Sequence, residues 1–247
     1  MKISTTCMKC IMDNPASYLR VEGYVPIQEN DLYHFKCMNG HDNLLEIQAF
    51  KFEILFESGL CAIKDKYFLE SGLSLTAAIE RFYEFFIRIV MKANGLTSDV
   101  FEKIFKNITN QSERQYGAFL CIYGMIYKEN PPVLLSNRFV EFRNKVVHKG
   151  YLPNENEVME YAKEVYKIIK FYYSKLLSEY HKHIFDYLFE IQKQRRVDNK
   201  ELIDKLKVPI TSMAPCFAIT HTLNLEDFNK KDFNTCFDLI KRTSFYV

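Results

Sequence analysis

The sequence predicts a mainly α-helical protein that carries a small β-rich module at its N-terminus. Between about residues 44 and 195, apolar side chains recur every three or four positions, which is the spacing of amphipathic helices. Residues 1–43 instead combine a Cys-x2-Cys pair with proline, glycine and short extended stretches, as expected of two or three strands around turns. The predicted organisation is a module at 1–43, a helical domain at 44–195 and a C-terminal extension of unknown role at 196–247.

Composition and charge narrow the class of protein. Of the 247 residues 48% are hydrophobic, so the chain can bury a core, and the net charge of +2 excludes a polycation. No apolar run reaches the roughly 18–20 residues that span a bilayer, and no apolar signal-peptide core follows the N-terminus. Seven cysteines, an odd count, argue against a closed disulfide framework. We therefore expect a cytoplasmic protein without a membrane partner.

The helical signals can be followed in order from residue 44. Asp42 or Asn43 is placed to cap the first helix, and Gly72 with Ser74 marks a break before the second, which ends at Gly95. Further helices are predicted at 100–105 with Ser98 as cap, at about 112–128 before Pro131-Pro132, at about 137–148 before Gly150, and at 232–242.

The longest predicted helix follows Pro153. Asn154 and Glu157 have the spacing of a capping box in its asparagine variant, and the apolar stripe continues to about Ile191. Such a helix approaches 40 residues, or about 60 Å. Because this exceeds an ordinary globular helix, either it breaks near His181–His183 or its far end packs on a partner chain.

Four residues near the N-terminus have the spacing of a zinc site. They are Cys7, Cys10, Cys37 and His41, which form Cys-x2-Cys, a gap of 26 residues, and Cys-x3-His. Zinc takes four such ligands in a tetrahedron, and Gly40 can adopt the turn that the second pair requires. Because four ligands leave no position for water, we expect a structural Zn²⁺. The pattern resembles a zinc ribbon, a class that docks partners or binds nucleic acid.

Two alternatives to this ligand set stay open. The Cys-x2-Cys pair could be a redox pair, although that would leave the second Cys/His pair unexplained. His34 could replace His41, although it lies within an apparent strand.

The segment VEFRNKVVHKG holds the most chemically informative pattern in the chain. Arg143 and His148 are spaced Arg-x4-His, and Asn144 lies one helical turn before the histidine on the same face. Arg143 and His148 are about 140° apart on an ideal helix. Either the histidine lies where the helix ends, as Gly150 permits, or a second copy of the motif completes the site.

These residue types suit cleavage of RNA by its own 2′-hydroxyl without a metal. Histidine titrates near neutral pH and can serve as base or acid. Arginine stays cationic and grips phosphate oxygens in pairs, while Asn144 can orient the histidine or the phosphate. Arg138, Lys145 and Lys149 make the surrounding segment basic, so we predict that they bind RNA; a solvated helix face is the alternative.

With this motif, residues 45–180 resemble the HEPN superfamily, whose pattern is Arg-x4-6-His with Asn, Asp or His after the arginine. The resemblance implies an antiparallel helical bundle, a homodimer with both motifs facing a shared cleft, and often endoribonuclease activity. It would make Arg143, Asn144 and His148 catalytic with no catalytic cofactor. Members act as toxins, antiphage effectors or RNA-processing enzymes, so an antitoxin or other regulator is an expected partner.

A second function from another class is a non-catalytic module. In that interpretation the motif helps to hold the dimer, and the zinc-ribbon-like module recruits a partner or nucleic acid.

Overall fold

The structure, a computed structural model, describes residues 2–14, 20–24, 32–109, 111–128, 130–214 and 225–243. In chain order the elements are β1 (Lys2–Thr6), α1 (Met8–Asp13), β2 (Arg20–Tyr24), β3 (Leu32–Lys36), β4 (Asp42–Ile47), α2 (Lys51–Lys64), α3 (Phe68–Ala93), α4 (Ser98–Phe105), α5 (Ser112–Ile126), α6 (Asn137–Lys149), α7 (Glu155–Asp198), α8 (Lys200–Leu206), β5 (Ile210–Met213), α9 (Leu225–Lys230) and α10 (Phe233–Thr243). The predicted fold class, mainly α with a small N-terminal sheet, is confirmed.

The chain folds into two compact units. The sheet unit contains the described residues of 1–49 and 188–215, and the helical unit contains those of 50–187 and 216–243. The predicted boundary at residue 43 therefore falls inside β4. Among the described residues, no helix combines the length and the apolar character needed to cross a membrane.

In the sheet unit, β1 pairs antiparallel with β2, and β4 lies between antiparallel β3 and parallel β5. The prediction of a helix beginning at residue 44 is wrong, because this segment is the central strand of a sheet. Leu44 and Ile47 are fully buried, and a short apolar run of this kind fits a buried strand as well as a helix. α2 begins only at Lys51, where the Glu53 carboxylate accepts a hydrogen bond from the Phe50 amide (2.8 Å).

The predicted break at Gly72 and Ser74 is also wrong, since α3 runs through both residues. The chain turns earlier, between α2 and α3, where Lys66 has a φ of 62°. A Cβ atom on Gly72 would lie 3.1 Å from Cγ1 of Val146. The glycine therefore serves the close approach of α3 and α6 and does not end a helix.

Several other helix predictions are confirmed. The Asn154 side chain accepts from the Glu157 amide (3.1 Å) and the Glu157 carboxylate accepts from the Asn154 amide (2.9 Å), so the capping box starts α7 as predicted. α7 is kinked at Tyr180 (φ −130°, ψ 21°), directly before His181–His183, which fits the first of the two alternatives for this long helix. The prediction of Ser98 as the cap of α4 is wrong, because the capping residue is Thr97, whose side chain accepts a hydrogen bond from the Val100 amide.

Aromatic side chains make the core of the helical unit. The rings of Phe86 and Phe119 lie 5.1 Å apart, and Tyr172 meets Phe119 edge-on at 5.0 Å and Tyr123 at 5.4 Å. These residues come from α3, α5 and α7. The high aromatic content thus fills the interior, and α3 contacts α2, α5 and α6.

Candidate functional site

The four predicted metal ligands converge in the sheet unit. Their ligand atoms all lie within 4.8 Å of one another. The Sγ atoms of Cys10 and Cys37 are 3.8 Å apart, and Nδ1 of His41 lies 3.2 Å from Cys10 Sγ and 3.7 Å from Cys7 Sγ. The three cysteines are buried and the histidine is half-buried.

Local backbone geometry positions the second pair of ligands. The turn between β3 and β4 is closed by hydrogen bonds from the Gly40 amide to the Cys37 carbonyl (2.8 Å) and from the Cys37 amide to the His41 carbonyl (3.0 Å). Gly40 has a φ of 77°, a conformation that glycine adopts without strain. Asn39 donates its side-chain amide to Cys10 Sγ at 3.4 Å. The predicted turn at Gly40 is therefore present.

The first two thiols differ in pKa. Burial raises the pKa of Cys7, but hydrogen bonds from the Cys10 amide, from His41 and from the neighbouring thiols outweigh it and lower the pKa to about 6. Burial and the adjacent Cys7 and Cys37 raise the pKa of Cys10 to about 11, against the lowering effect of Asn39. Of these two thiols, Cys7 is therefore the more easily deprotonated, and a bound cation would favour the thiolate form of both.

The residues fit a tetrahedral metal ion. With Zn–S distances of about 2.3 Å, tetrahedral geometry requires sulfur atoms about 3.8 Å apart. The separation of Cys10 and Cys37 matches this value. The alternative ligand His34 lies outside the cluster, because its Nε2 contacts Asp42 Oδ1 at 2.7 Å. Cys7, Cys10, Cys37 and His41 could thus hold a metal such as Zn²⁺.

In the helical unit, α6 places the Arg–Asn–His motif against α3 and α7. Phe142 and Val146 are the buried residues of this helix, and the Phe142 ring lies 5.0 Å from the ring of Tyr161 on α7. α6 ends at Gly150, whose φ of 62° is a left-handed conformation. His148 therefore lies in the last turn, as one of the two sequence-based alternatives required.

Arg143 faces the interior of the helical unit. Its Nη2 donates to Glu80 Oε1 on α3 (2.5 Å) and to Ser112 Oγ at the start of α5 (2.8 Å). The side chains of Arg143 and Glu80 are 19% and 25% exposed. Nε is buried without a partner among the described residues, whereas Nη1 makes no hydrogen bond there and is not fully buried. One edge of the guanidinium is thus anchored, and another keeps solvent access.

The other motif residues lie on the solvent side of α6. Asn144 and His148 are exposed and make no hydrogen bond to the described residues. Lys145 and Lys149 are exposed as well. Arg138 differs, because it forms an ion pair with Glu160 at the surface of α7.

The structure therefore assembles the four metal ligands but gives the motif residues different neighbours. Glu80 and Ser112, which hold Arg143, were not predicted from the sequence. They lie 63 and 31 residues before the arginine, and no local spacing marks either of them. Only the arginine itself, a charge within an amphipathic helix, could have suggested that a carboxylate lies nearby.

No protein-family model, no curated protein and no solved structure matches this chain.

Proposed function

We propose that the protein is a metal-independent endoribonuclease that acts as a homodimer, with Arg143, Asn144 and His148 as its catalytic residues. One observation carries the proposal: an exposed imidazole and an exposed amide, one turn apart and without partners among the described residues, follow an arginine whose guanidinium is anchored on one edge. The described part of the fold does not use the Asn144 amide or the His148 imidazole, so both can contact a ligand from solution.

The chemistry follows from these groups. His148 removes the proton from the 2′-hydroxyl, and the oxygen attacks the adjacent phosphorus. Arg143, through Nη1, and Asn144 bind the phosphate oxygens as negative charge accumulates. A proton is delivered to the leaving 5′-oxygen as its bond to phosphorus breaks. The products are a 2′,3′-cyclic phosphate and a 5′-hydroxyl.

This reaction requires a base and an acid at once, and the motif of each chain supplies one imidazole. A homodimer that pairs two α6 ends across a twofold axis would supply both. The exposed apolar residues Val140, Val147 and Leu152 support such pairing, since they flank Asn144 and His148 and would be buried by it.

RNA binding near this helix end is proposed for Lys145 and Lys149, which are exposed. Arg138 would contribute only if RNA displaces it from Glu160. A nuclease of this kind, used as a toxin or an antiphage effector, must be restrained until needed. A regulator such as an antitoxin is therefore part of the proposal.

We also propose that Cys7, Cys10, Cys37 and His41 hold a structural Zn²⁺. Four protein ligands close the coordination shell, so the site stabilises the sheet unit and has no open position for a reacting water. The ion at this cluster would then take no part in catalysis.

A second candidate is the non-catalytic dimerisation module, with the zinc site recruiting a partner. The ion pair between Arg143 and Glu80 favours it, because a neutralised guanidinium binds phosphate less strongly. Under this alternative Arg143 stabilises the packing of α3, α5 and α6 and has no part in catalysis.

The test is the chemistry of the cleaved ends. Purified protein with zinc bound is incubated with a mixed-sequence RNA in the presence of EDTA, and the ends are analysed. We expect cleavage that leaves cyclic phosphates and 5′-hydroxyls. Cleavage that stops with EDTA while the zinc remains bound, or that leaves 5′-phosphates, contradicts the mechanism; intact RNA at every protein concentration, with dimer present, favours the module.

A further inference from the structure

A second surface with the chemistry of a ligand site lies in the sheet unit, on the last turns of α7 and the start of α8. An open groove of about 480 Å³ is lined by six residues, none of them acidic: Phe189, Gln192, Lys193, Arg196, Val197 and Lys200. Their spacing of three and four residues places them on one helix face. On an ideal helix Asp198 lies on the opposite face, and Glu190 lies at the edge of the groove face beside Val197.

The described residues of the sheet unit do not balance the positive charge of the groove. Lys193 and Lys200 are exposed and form no ion pair with the described residues. Arg196 is paired, since its Nη2 lies 3.2 Å from Oε2 of Glu46, a carboxylate that is only 1% exposed. Two free ammonium groups beside a carboxylate-bound guanidinium favour an anionic ligand.

Two further residues point to a ligand that also has flat apolar surfaces and polar edges. Phe189 is 65% exposed, which leaves most of its ring open to solvent on the groove. Gln192 is 9% exposed, lines the same groove, and makes no hydrogen bond to the described residues. Neither amide atom of Gln192 is fully buried, so both reach the groove and offer a donor and an acceptor to a ligand there.

We propose that this groove binds single-stranded RNA. Lys193 and Lys200 contact phosphates, a base stacks on Phe189, and the amide of Gln192 forms hydrogen bonds with a base edge. Basic side chains that follow the backbone beside an aromatic ring are the usual means of binding single strands. The choice of RNA rests on the proposed nuclease function, whereas the groove itself does not depend on catalysis.

The test measures binding separately from cleavage. The full-length chain carrying His148→Ala, with zinc bound, is titrated against a fluorescein-labelled ten-nucleotide oligouridylate, and the Kd is measured by anisotropy at several salt concentrations. For Lys193→Gln/Lys200→Gln we expect a Kd raised about tenfold or more, and a slope of log Kd against log salt reduced by about 1.4 for two lost phosphate contacts. For Phe189→Ala we expect a Kd raised about 5- to 100-fold with an unchanged slope.

The matched control is Lys106→Gln/Lys128→Gln, which removes the same charge from exposed positions of the helical unit. The proposal that the groove binds RNA is overturned if the groove variants and this control bind the oligouridylate equally well. It is also overturned if the chain binds vesicles of phosphatidylserine but not the oligouridylate.

Failure of the groove and failure of the nuclease are distinguishable. A wild-type chain that leaves RNA intact, with binding lost in the groove variants, contradicts the nuclease and supports the groove. A chain that cleaves RNA, with unchanged binding in the groove variants, supports the nuclease and contradicts the groove.

Discussion

The cysteine–histidine cluster and the end of α6 differ in how much of a site one chain assembles. In the cluster, Cys7, Cys10, Cys37 and His41 bring their ligand atoms within 4.8 Å of one another. At the end of α6, Arg143 is bound to Glu80 and Ser112 while His148 faces solvent. The first arrangement is closed within the chain. The second arrangement leaves polar groups without partners among the described residues, and these groups can bind a ligand or a second chain.

Each of the two sites is therefore suited to a different task. A closed set of four ligands suits an ion that stabilises the fold, because nothing is left for a substrate. An exposed histidine on the same helix as an anchored arginine suits a ligand that arrives from solution, and a second chain can supply the missing acid or base. The two sites should therefore respond differently to mutation: the cluster through stability, and His148 at the helix end through activity.

The largest expected effect is at the cluster. Cys37→Ser should reduce the bound zinc from about one ion per chain to none and unfold the sheet unit, because structural zinc sites contribute about 10–16 kcal/mol of apparent binding free energy. Elemental analysis and limited proteolysis measure the two effects. Cys121→Ser, at an exposed position outside the cluster, is the control and should retain the ion. Full zinc occupancy in Cys37→Ser would mean that the cluster is not the site.

The cluster and the mispredicted strand show what the sequence could and could not reveal. The ligand set and the turn at Gly40 were predictable, because Cys-x2-Cys and Cys-x3-His are local spacings. β4 was not, because its parallel partner β5 begins at Ile210, far along the chain, and the buried run around Leu44 has no periodicity that distinguishes strand from helix.

At the end of α6, local residue patterns again predicted part of the structure. Gly150 and the Asn154–Glu157 cap correctly marked the end of α6 and the start of α7. The contacts of Arg143 with Glu80 and Ser112 depend on how three helices pack, so no pattern in the sequence could predict them.

The next effect tests whether Arg143 also stabilises the fold. Arg143→Ala should lower the free energy of unfolding of the helical unit by about 1–3 kcal/mol, because it leaves a largely buried Glu80 carboxylate without its charged donor. Urea denaturation measures the change. Arg138→Ala removes an ion pair that is exposed on both sides, so it should cost less than about 1 kcal/mol. Equal losses of unfolding free energy in the two variants would show that the ion pair between Arg143 and Glu80 does not stabilise the fold more than the exposed one does.

A smaller effect is expected where α7 starts. Asn154→Ala should lower the free energy of unfolding by about 1 kcal/mol, since the Glu157 amide loses its side-chain acceptor. Asn156→Ala, two residues on and exposed, is the control. Thermal unfolding compares them. Identical melting temperatures would indicate that the side chain of Asn154 does not stabilise the start of α7.

The rate of RNA cleavage by His148→Ala, measured with zinc bound and with EDTA present, decides whether this histidine is catalytic. Because His148 is exposed and has no partner among the described residues, the variant should fold and melt like the wild type. We predict that its cleavage rate falls at least about 100-fold, while His181→Ala, an exposed histidine of α7, cleaves normally. A His148→Ala protein that cleaves at the wild-type rate would contradict the account.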